Sequence, residues 1–336
     1  MNRVLIVKVT SLGDIVQAQP VVADLRRAFP AVAVDWAADA AFADVPRWNA
    51  GVDRVLCAPL RHFKKTRRAQ DLKAIFASIG ELRGVYYDAV IDLHGVYKSA
   101  IIAFLARSRT RYGYRLADLG EQGAAFAYTR RFARPAELNV LEGLRQTVGD
   151  ALGYRIESPP EFGLHIPAAH GPRRDAQGDA FALLFHATSG AAKKWTIDHW
   201  QCVGRYLIDR GIRVALPWGS PDEHDESIAI AAGIPNAMVL PHMSLLEVAQ
   251  QIDSSSIVVG ADTGFVHLAA ALRKPTVMIF TATSKKHYGV NVPGCAVSIG
   301  DEGRRPSVRE VIDAVDFVWP EMSKQGDLMR PLRSAP

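Results

Sequence analysis

Short apolar runs alternate with helix-patterned stretches along this chain, and they do so twice. In the first half, "RVLIVKV" (3–9), "VAVDWAA" (32–38) and "YDAVIDL" (87–93) read as strands, with helical stretches at 17–29 and 98–107. In the second half, "AFALLFHA" (180–187), "IRVALPW" (212–218), "SIVVGA" (256–261) and "PTVMIF" (275–280) read as strands, with helices near 198–210, 222–232, 244–253 and 264–272. Runs this continuously rich in Val, Ile, Leu and Ala suit strands buried on both faces, as in parallel sheets. Strand–helix alternation of this kind predicts an α/β fold of two Rossmann-like, doubly wound domains. The polar, Pro- and Gly-containing stretch 166–179 is the expected hinge, between a domain over 1–165 and another over 180–318. The tail 319–336 is expected to pack back on the first domain.

A length of 336 residues fits two domains. With 49% hydrophobic and 22% charged residues, the chain has ample core and is not of the disordered class. The apolar run "AIIAFLA" (100–106) is far short of a membrane span, and Lys8 interrupts the N-terminal run, against a signal peptide. Cys57, Cys202 and Cys295 show no paired spacing, and the histidines show no metal-binding helical spacing, so neither disulfides nor a zinc site is expected. A reducing cytosol is the default. Charge is uneven: residues 1–165 carry 23 Lys/Arg against 17 Asp/Glu, and the remainder 17 against 18. A basic first half implies an anionic partner there. The run "RHFKKTRR" (61–68) holds five cations and no acid, and reads as an anion-binding surface or a solvated face.

Open α/β sheets bind ligands at the carboxyl ends of their strands, so the polar residues just after each strand carry the functional signal. After 256–261 comes "DTGFVH". Asp262 and Thr263 sit where an N-cap belongs. Gly264 lets another group approach, and the helix start suits a phosphate. His267 follows Thr263 by four residues, on the same helix face. A capped helix with an incidental histidine explains these residues equally well. After 3–9, Ser11, Gly13 and Asp14 make a tight strand-to-helix turn. It is neither G-x-G-x-x-G nor a Walker loop, which disfavours dehydrogenases and P-loop enzymes. Asp14 is there either to present a carboxylate or to cap the helix. After 180–187, "TSGAAKKW" (188–195) offers two hydroxyls and two lysines, either for a diphosphate or as a solvated loop. After 212–218, the acids of "GSPDEHDE" (219–226) suit ribose hydroxyls or, equally, the first turn of a helix.

Together these segments resemble the ADP-heptose:lipopolysaccharide heptosyltransferases of the inner core, over nearly the whole chain. The resemblance rests on "VLIVKVTSLGD" (4–14), "DWAADAAFADVPRWNAGVDRV" (35–55), "YDAVIDLHGVYKSA" (87–100), "LFHATSGAAKKW" (184–195), "LPWGSPDEHDE" (216–226), "LPHMSL" (240–245) and "GADTGFVHLAAAL" (260–272). The second and fourth point to the type I enzymes. The resemblance implies a glycosyltransferase-B fold and inverting transfer of L-glycero-D-manno-heptose from ADP-heptose to a Kdo hydroxyl of Kdo2-lipid A, with no metal and no cofactor. It implies Asp14 as the general base. Thr188, Ser189, Lys193, Glu223, Met243, Asp262, Thr263, Gly264 and His267 are then donor-binding, and Ser11, Gly13, Arg61 and Lys64 acceptor-binding. Where the family has charged residues, this chain has Gly190, Ala191 and Ala192, so Lys193 and Lys194 both stand as partners of the diphosphate. A cytoplasmic enzyme in peripheral contact with the inner-membrane surface follows from such an acceptor. Alternative readings are a nucleotide-sugar epimerase, which would need no acceptor, and a non-catalytic binding protein, which would form no product. Nucleic acid is not an expected partner, because no interleaved basic and aromatic motif is present.

Overall fold

The computed structural model describes residues 1–58, 69–168, 180–188 and 190–320. The run 61–68, the larger part of the 166–179 stretch, Ser189 and the tail from 321 lie outside these residues. The chain divides into two compact units, Met1–His165 and Ile166–Pro336.

The first unit is built on β1 (Arg3–Val7), β2 (Ala33–Asp39), β3 (Arg54–Ala58), β4 (Ala89–Asp92), β5 (Arg111–Tyr114) and β6 (Arg130–Phe132). These strands are parallel and ordered β3-β2-β1-β4-β5-β6. Among the described residues the helices of this unit are α1 (Leu12–Ala18), α2 (Pro20–Ala28), α3 (Asp44–Arg47), α4 (Ala69–Arg83), α5 (Tyr97–Leu105) and, after β6, α6 (Val140–Leu152). All but the first residue of β1 is fully buried, as the unbroken apolar run requires. One expectation changes. The stretch 17–29 is not a single helix, because α1 ends at Ala18 and α2 begins at Pro20. Proline lacks an N–H and clashes with a preceding turn, so it opens a helix rather than continuing one. Gln19 at the junction is held by its own side chain, which donates to the Ile15 carbonyl and accepts from Asn49.

The second unit repeats the plan. Its strands are β7 (Phe181–Phe185), β8 (Arg213–Leu216), β9 (Met238–Val239), β10 (Ile257–Ala261), β11 (Thr276–Phe280) and β12 (Ala296–Gly300). They are parallel and ordered β12-β11-β10-β7-β8-β9. Counted from its own first strand, this is the order of the first unit. The helices are α7 (Ile197–Ile208), α8 (Pro221–Ala231), α9 (Leu245–Ser254), α10 (Gly264–Ala271), α11 (Lys285–Tyr288) and α12 (Val308–Val318). Trp195 and Trp200 meet edge to face in its core, beside Val203, Leu207 and Val315. Among the described residues no helix is long and apolar enough to cross a membrane.

In both units the chain winds outward in opposite directions from a central strand pair, β1/β4 and β7/β10. Loops leaving such a pair diverge and open a crevice at the carboxyl ends. Gly260 sets how closely α10 packs on the second sheet. A Cβ there would stand 2.4 Å from Val266 Cγ2 and 2.8 Å from Phe185 Cβ, so only glycine lets α10 lie this close to β10 and β7. Gly260→Ala is expected to cost about 1–3 kcal/mol through overpacking. Chemical denaturation of the full chain measures it, and an unchanged midpoint would contradict the close approach.

Candidate functional site

In the first unit, β1 carries its apolar run one step too far for comfort. Lys8 is buried just past the strand, where a lone ammonium is costly. It is fully employed: its Nζ donates to the Leu93 carbonyl at 3.1 Å and stands 3.0 Å from Asp14 Oδ1. The other carboxylate oxygen of Asp14 accepts from the Ser11 N–H at 3.0 Å and the Ser11 hydroxyl at 2.7 Å. Asp14 therefore both caps α1 and faces outward, with its side chain 41% exposed. Burial alone would raise its pKa. The Lys8 charge and the bonds from Ser11 and Lys8 outweigh that and lower it to about 2. Gly13 sits inside the same turn.

The neighbouring strand supplies a histidine to this crevice. Asp92, buried at the end of β4, accepts the N–H groups of His94 and Gly95 and the Tyr128 hydroxyl, fixing the turn on which His94 stands. Burial raises the pKa of Asp92 despite these donors. His94 Nε2 lies 3.5 Å from the Thr10 hydroxyl. Burial first, and Lys8 second, push its pKa down to about 4, so the imidazole is neutral at neutral pH.

In the second unit the crevice gathers residues from three strand ends. Asp262 follows β10, and its Oδ2 accepts from Lys193 Nζ at 2.6 Å and from the Thr283 hydroxyl at 2.7 Å. His267 Nε2 lies 3.6 Å from Oδ1. Burial favours a neutral acid here, but hydrogen bonds from His267, Lys193 and Thr283 prevail and hold the carboxyl well below its usual range. Thr263 is the N-cap of α10 and its side chain makes no capping bond to the first N–H groups of the helix, from Gly264 onward. The loop after β7 is folded back on itself, with the Thr188 hydroxyl donating to the Gly190 carbonyl and the Thr281 hydroxyl to the Ala192 carbonyl.

The two lysines of that loop part company. Lys193 joins Asp262, whereas Lys194 pairs with Glu226 at 2.5 Å. Glu226 also faces the fully buried His186, whose Nε2 lies 2.8 Å from Ser227 Oγ and whose pKa burial lowers. Glu223 is the third residue of α8; its N–H donates to the Ser220 hydroxyl that caps the helix, and its carboxylate accepts from the Gly219 N–H at 2.7 Å. Met243 is half-buried in the loop before α9. That loop is tied to the end of β8 by Trp218, whose indole N–H donates to the Leu240 carbonyl at 2.6 Å. Ser189, Arg61 and Lys64 lie outside the described residues. Lys8, His94 and Thr283 were not anticipated as site residues, and Glu226 only as one of the acids of the 219–226 stretch. Lys8 and His94 had a signal, since both follow central strands. Thr283 had none beyond its place after β11. Among the described residues no group of His, Cys, Asp or Glu is placed to hold a metal ion.

Comparison with known sequences settles the family. The glycosyltransferase family 9 (heptosyltransferase) model matches residues 75–311. The chain belongs to this family. It is thus a glycosyltransferase of the heptosyltransferase kind, similar over most of its length to type 1 enzymes of lipopolysaccharide biosynthesis. It is 33% identical to lipopolysaccharide heptosyltransferase 1 of Escherichia coli (strain K12), over 87% of this chain and 93% of that protein. It is 34% identical to the Pseudomonas aeruginosa PAO1 protein of the same description, over 85% of this chain and 81% of that one. Among solved structures, E. coli heptosyltransferase WaaC with ADP superposes with a TM-score of 0.81 at 29% identity, covering 94% of this chain and 99% of that one. The two-unit α/β architecture is the glycosyltransferase-B type of these heptosyltransferase structures.

The Lys8–Asp14 contact gives a direct test. Asp14 is depressed from 3.8 to about 2, so it stabilises the folded chain above pH 3.8, and that contribution is lost as the pH falls through about 2. Lys8→Met is expected to raise the Asp14 pKa from about 2, because burial is then opposed by the Ser11 bonds without the Lys8 charge. A carboxyl carbon NMR titration reads it, and a pKa still near 2 would remove Lys8 as the cause.

Proposed function

We propose that the chain transfers L-glycero-D-manno-heptose from ADP-heptose to a Kdo hydroxyl of Kdo2-lipid A, with inversion and without a metal ion or cofactor. One observation carries this reading. Lys193 is held 2.6 Å from Asp262 at the start of α10, a helix whose N-cap Thr263 makes no side-chain capping bond. A fixed ammonium beside an open helix start is what a departing diphosphate requires.

In this mechanism the donor lies on the second unit. Lys193, the Gly264 end of α10 and the helix dipole take up the charge that develops on ADP as the anomeric bond breaks. Asp262 stays ionised, orients Lys193 and accepts from heptose hydroxyls, and it favours positive charge developing at the sugar ring. His267 donates to sugar or phosphate. Thr188 and Ser189 add hydroxyls at the diphosphate, Met243 packs on adenine, and Glu223 turns from the Gly219 N–H to the ribose. The solved relative with an ADP-2-deoxy-2-fluoro heptose supports a donor of this class. On the first unit, Asp14 removes the proton of the attacking hydroxyl, and Ser11 and Gly13 line its turn. Arg61 and Lys64 meet the phosphates and carboxylates of the acceptor. A membrane glycolipid acceptor places the enzyme at the cytoplasmic face of the inner membrane as a peripheral protein.

Asp14→Asn keeps the shape but not the basicity. It is expected to bind ADP-heptose normally by calorimetry and to turn over roughly 10²–10⁴-fold more slowly with Kdo2-lipid A. Near-normal turnover would exclude Asp14 as the base. Lys193→Ala is expected to lower turnover more than Lys194→Ala, since Lys193 stands beside Asp262 at the start of α10 whereas Lys194 is paired with Glu226 on α8. Product mass with and without EDTA tests the metal-free reaction, and a loss of product in EDTA would refute it.

A further inference from the structure

Helix α5 is turned inside out. Its buried positions are the small residues Ser99, Ala100 and Ala103, while Tyr97, Ile101 and Phe104 stand about half exposed on its outer face. Surface helices ordinarily do the reverse. Phe104 pairs edge-on with the exposed Phe126 at 5.5 Å, so the apolar surface is more than a single stray side chain, and Phe76 is a further exposed aromatic on α4. It also has depth. A cavity of about 260 Å³ opens between α4 and α5, walled by Ile79 and Ile102 and floored by Val9 and Leu56.

Cations border this face. Lys98 stands at the cavity and is exposed. The Arg111 guanidinium lies 5.9 Å from the Phe104 ring, Arg83 donates to the Leu105 carbonyl at 3.2 Å, and Arg107 to the Arg83 carbonyl at 3.4 Å. An apolar face rimmed by cations fits an anionic lipid surface, chains against the aromatic and aliphatic groups and headgroups against the rim. A second copy of the chain fits poorly, because a self-paired face of this kind would bring the same cations together.

We propose that the α4/α5 face docks on an anionic bilayer and that its cavity takes one acyl chain of a bilayer phospholipid. The inference rests on the reading that the acceptor is a membrane glycolipid. Val9, on the cavity floor, is two residues before Ser11, so the cavity adjoins in sequence the turn that carries Asp14.

The test uses the full chain and vesicles of phosphatidylcholine containing phosphatidylglycerol, against vesicles of phosphatidylcholine alone. Wild type is expected to sediment with the anionic vesicles. Ile101→Glu with Phe104→Glu changes only exposed side chains and is expected to weaken that partitioning by at least about tenfold, with unchanged melting and ADP binding. Lys98→Ala is expected to weaken it about fivefold. Phe104→Trp reports depth: quenching of its fluorescence by acyl-chain-brominated lipid supports docking. Vesicle binding unaffected by the double variant, absence of quenching, or a lipid-free dimer abolished by the double variant would overturn the proposal. Transfer to a deacylated, water-soluble acceptor separates the two readings. Transfer by a wild type that ignores vesicles defeats docking alone, and absence of transfer defeats the function while the vesicle result still decides docking.

Discussion

A strand covered by helices on both faces can hold no unpaired charge along its length, because such an ion would be stranded away from water, and Asp35 inside β2 is met there by Arg3 and the Tyr87 hydroxyl. Charged groups are therefore driven to the strand ends. In this molecule the two central strand pairs show the result. Lys8, Asp14 and His94 gather at one, and Lys193, Asp262 and His267 at the other. Each ammonium has a carboxylate within ion-pair distance. The site electrostatics thus follow from the same burial that makes the sheets.

Much of the fold was readable because the central strands are apolar throughout. "VLIV" and "IVVGA" can hardly be anything but buried strands, and their observed bounds differ from the expected ones by a residue or two. The edge strands were not readable. "RRF" at the edge strand β6 carries polar residues because one side of it is open, "RYGY" at β5 is short and half polar although it is paired on both sides with β4 and β6, and the two-residue edge strand β9 is too short to show any period. The break at Gln19 lay in plain view as a proline. The helical period continued across it and masked the stop.

The site was legible in proportion to how local it is. Ser11 and Asp14 bond within one turn, so their spacing is visible in the chain. Asp262 and Lys193 are 69 positions apart and meet only because β7 and β10 are neighbours in the sheet. Thr283 reaches the same carboxylate through the pairing of Ala261 with Ile279, a register no residue pattern announces. The separate duties of Lys193 and Lys194 are likewise a matter of where Glu226 stands on α8. Glu223 was ambiguous between a ribose partner and a helix cap, and its bond from the Gly219 N–H, just before the start of α8, leaves both uses open.

The ammonium that keeps Asp14 ionised also makes it a feeble proton acceptor. With a pKa of about 2, its conjugate acid is far stronger than any sugar alcohol, so no appreciable alkoxide forms before attack. In the proposed role the proton can pass downhill only once the nucleophilic oxygen has begun to bond to carbon and has itself become acidic. Timing of that transfer, late along the reaction coordinate, is then set by a lysine at the end of the first strand.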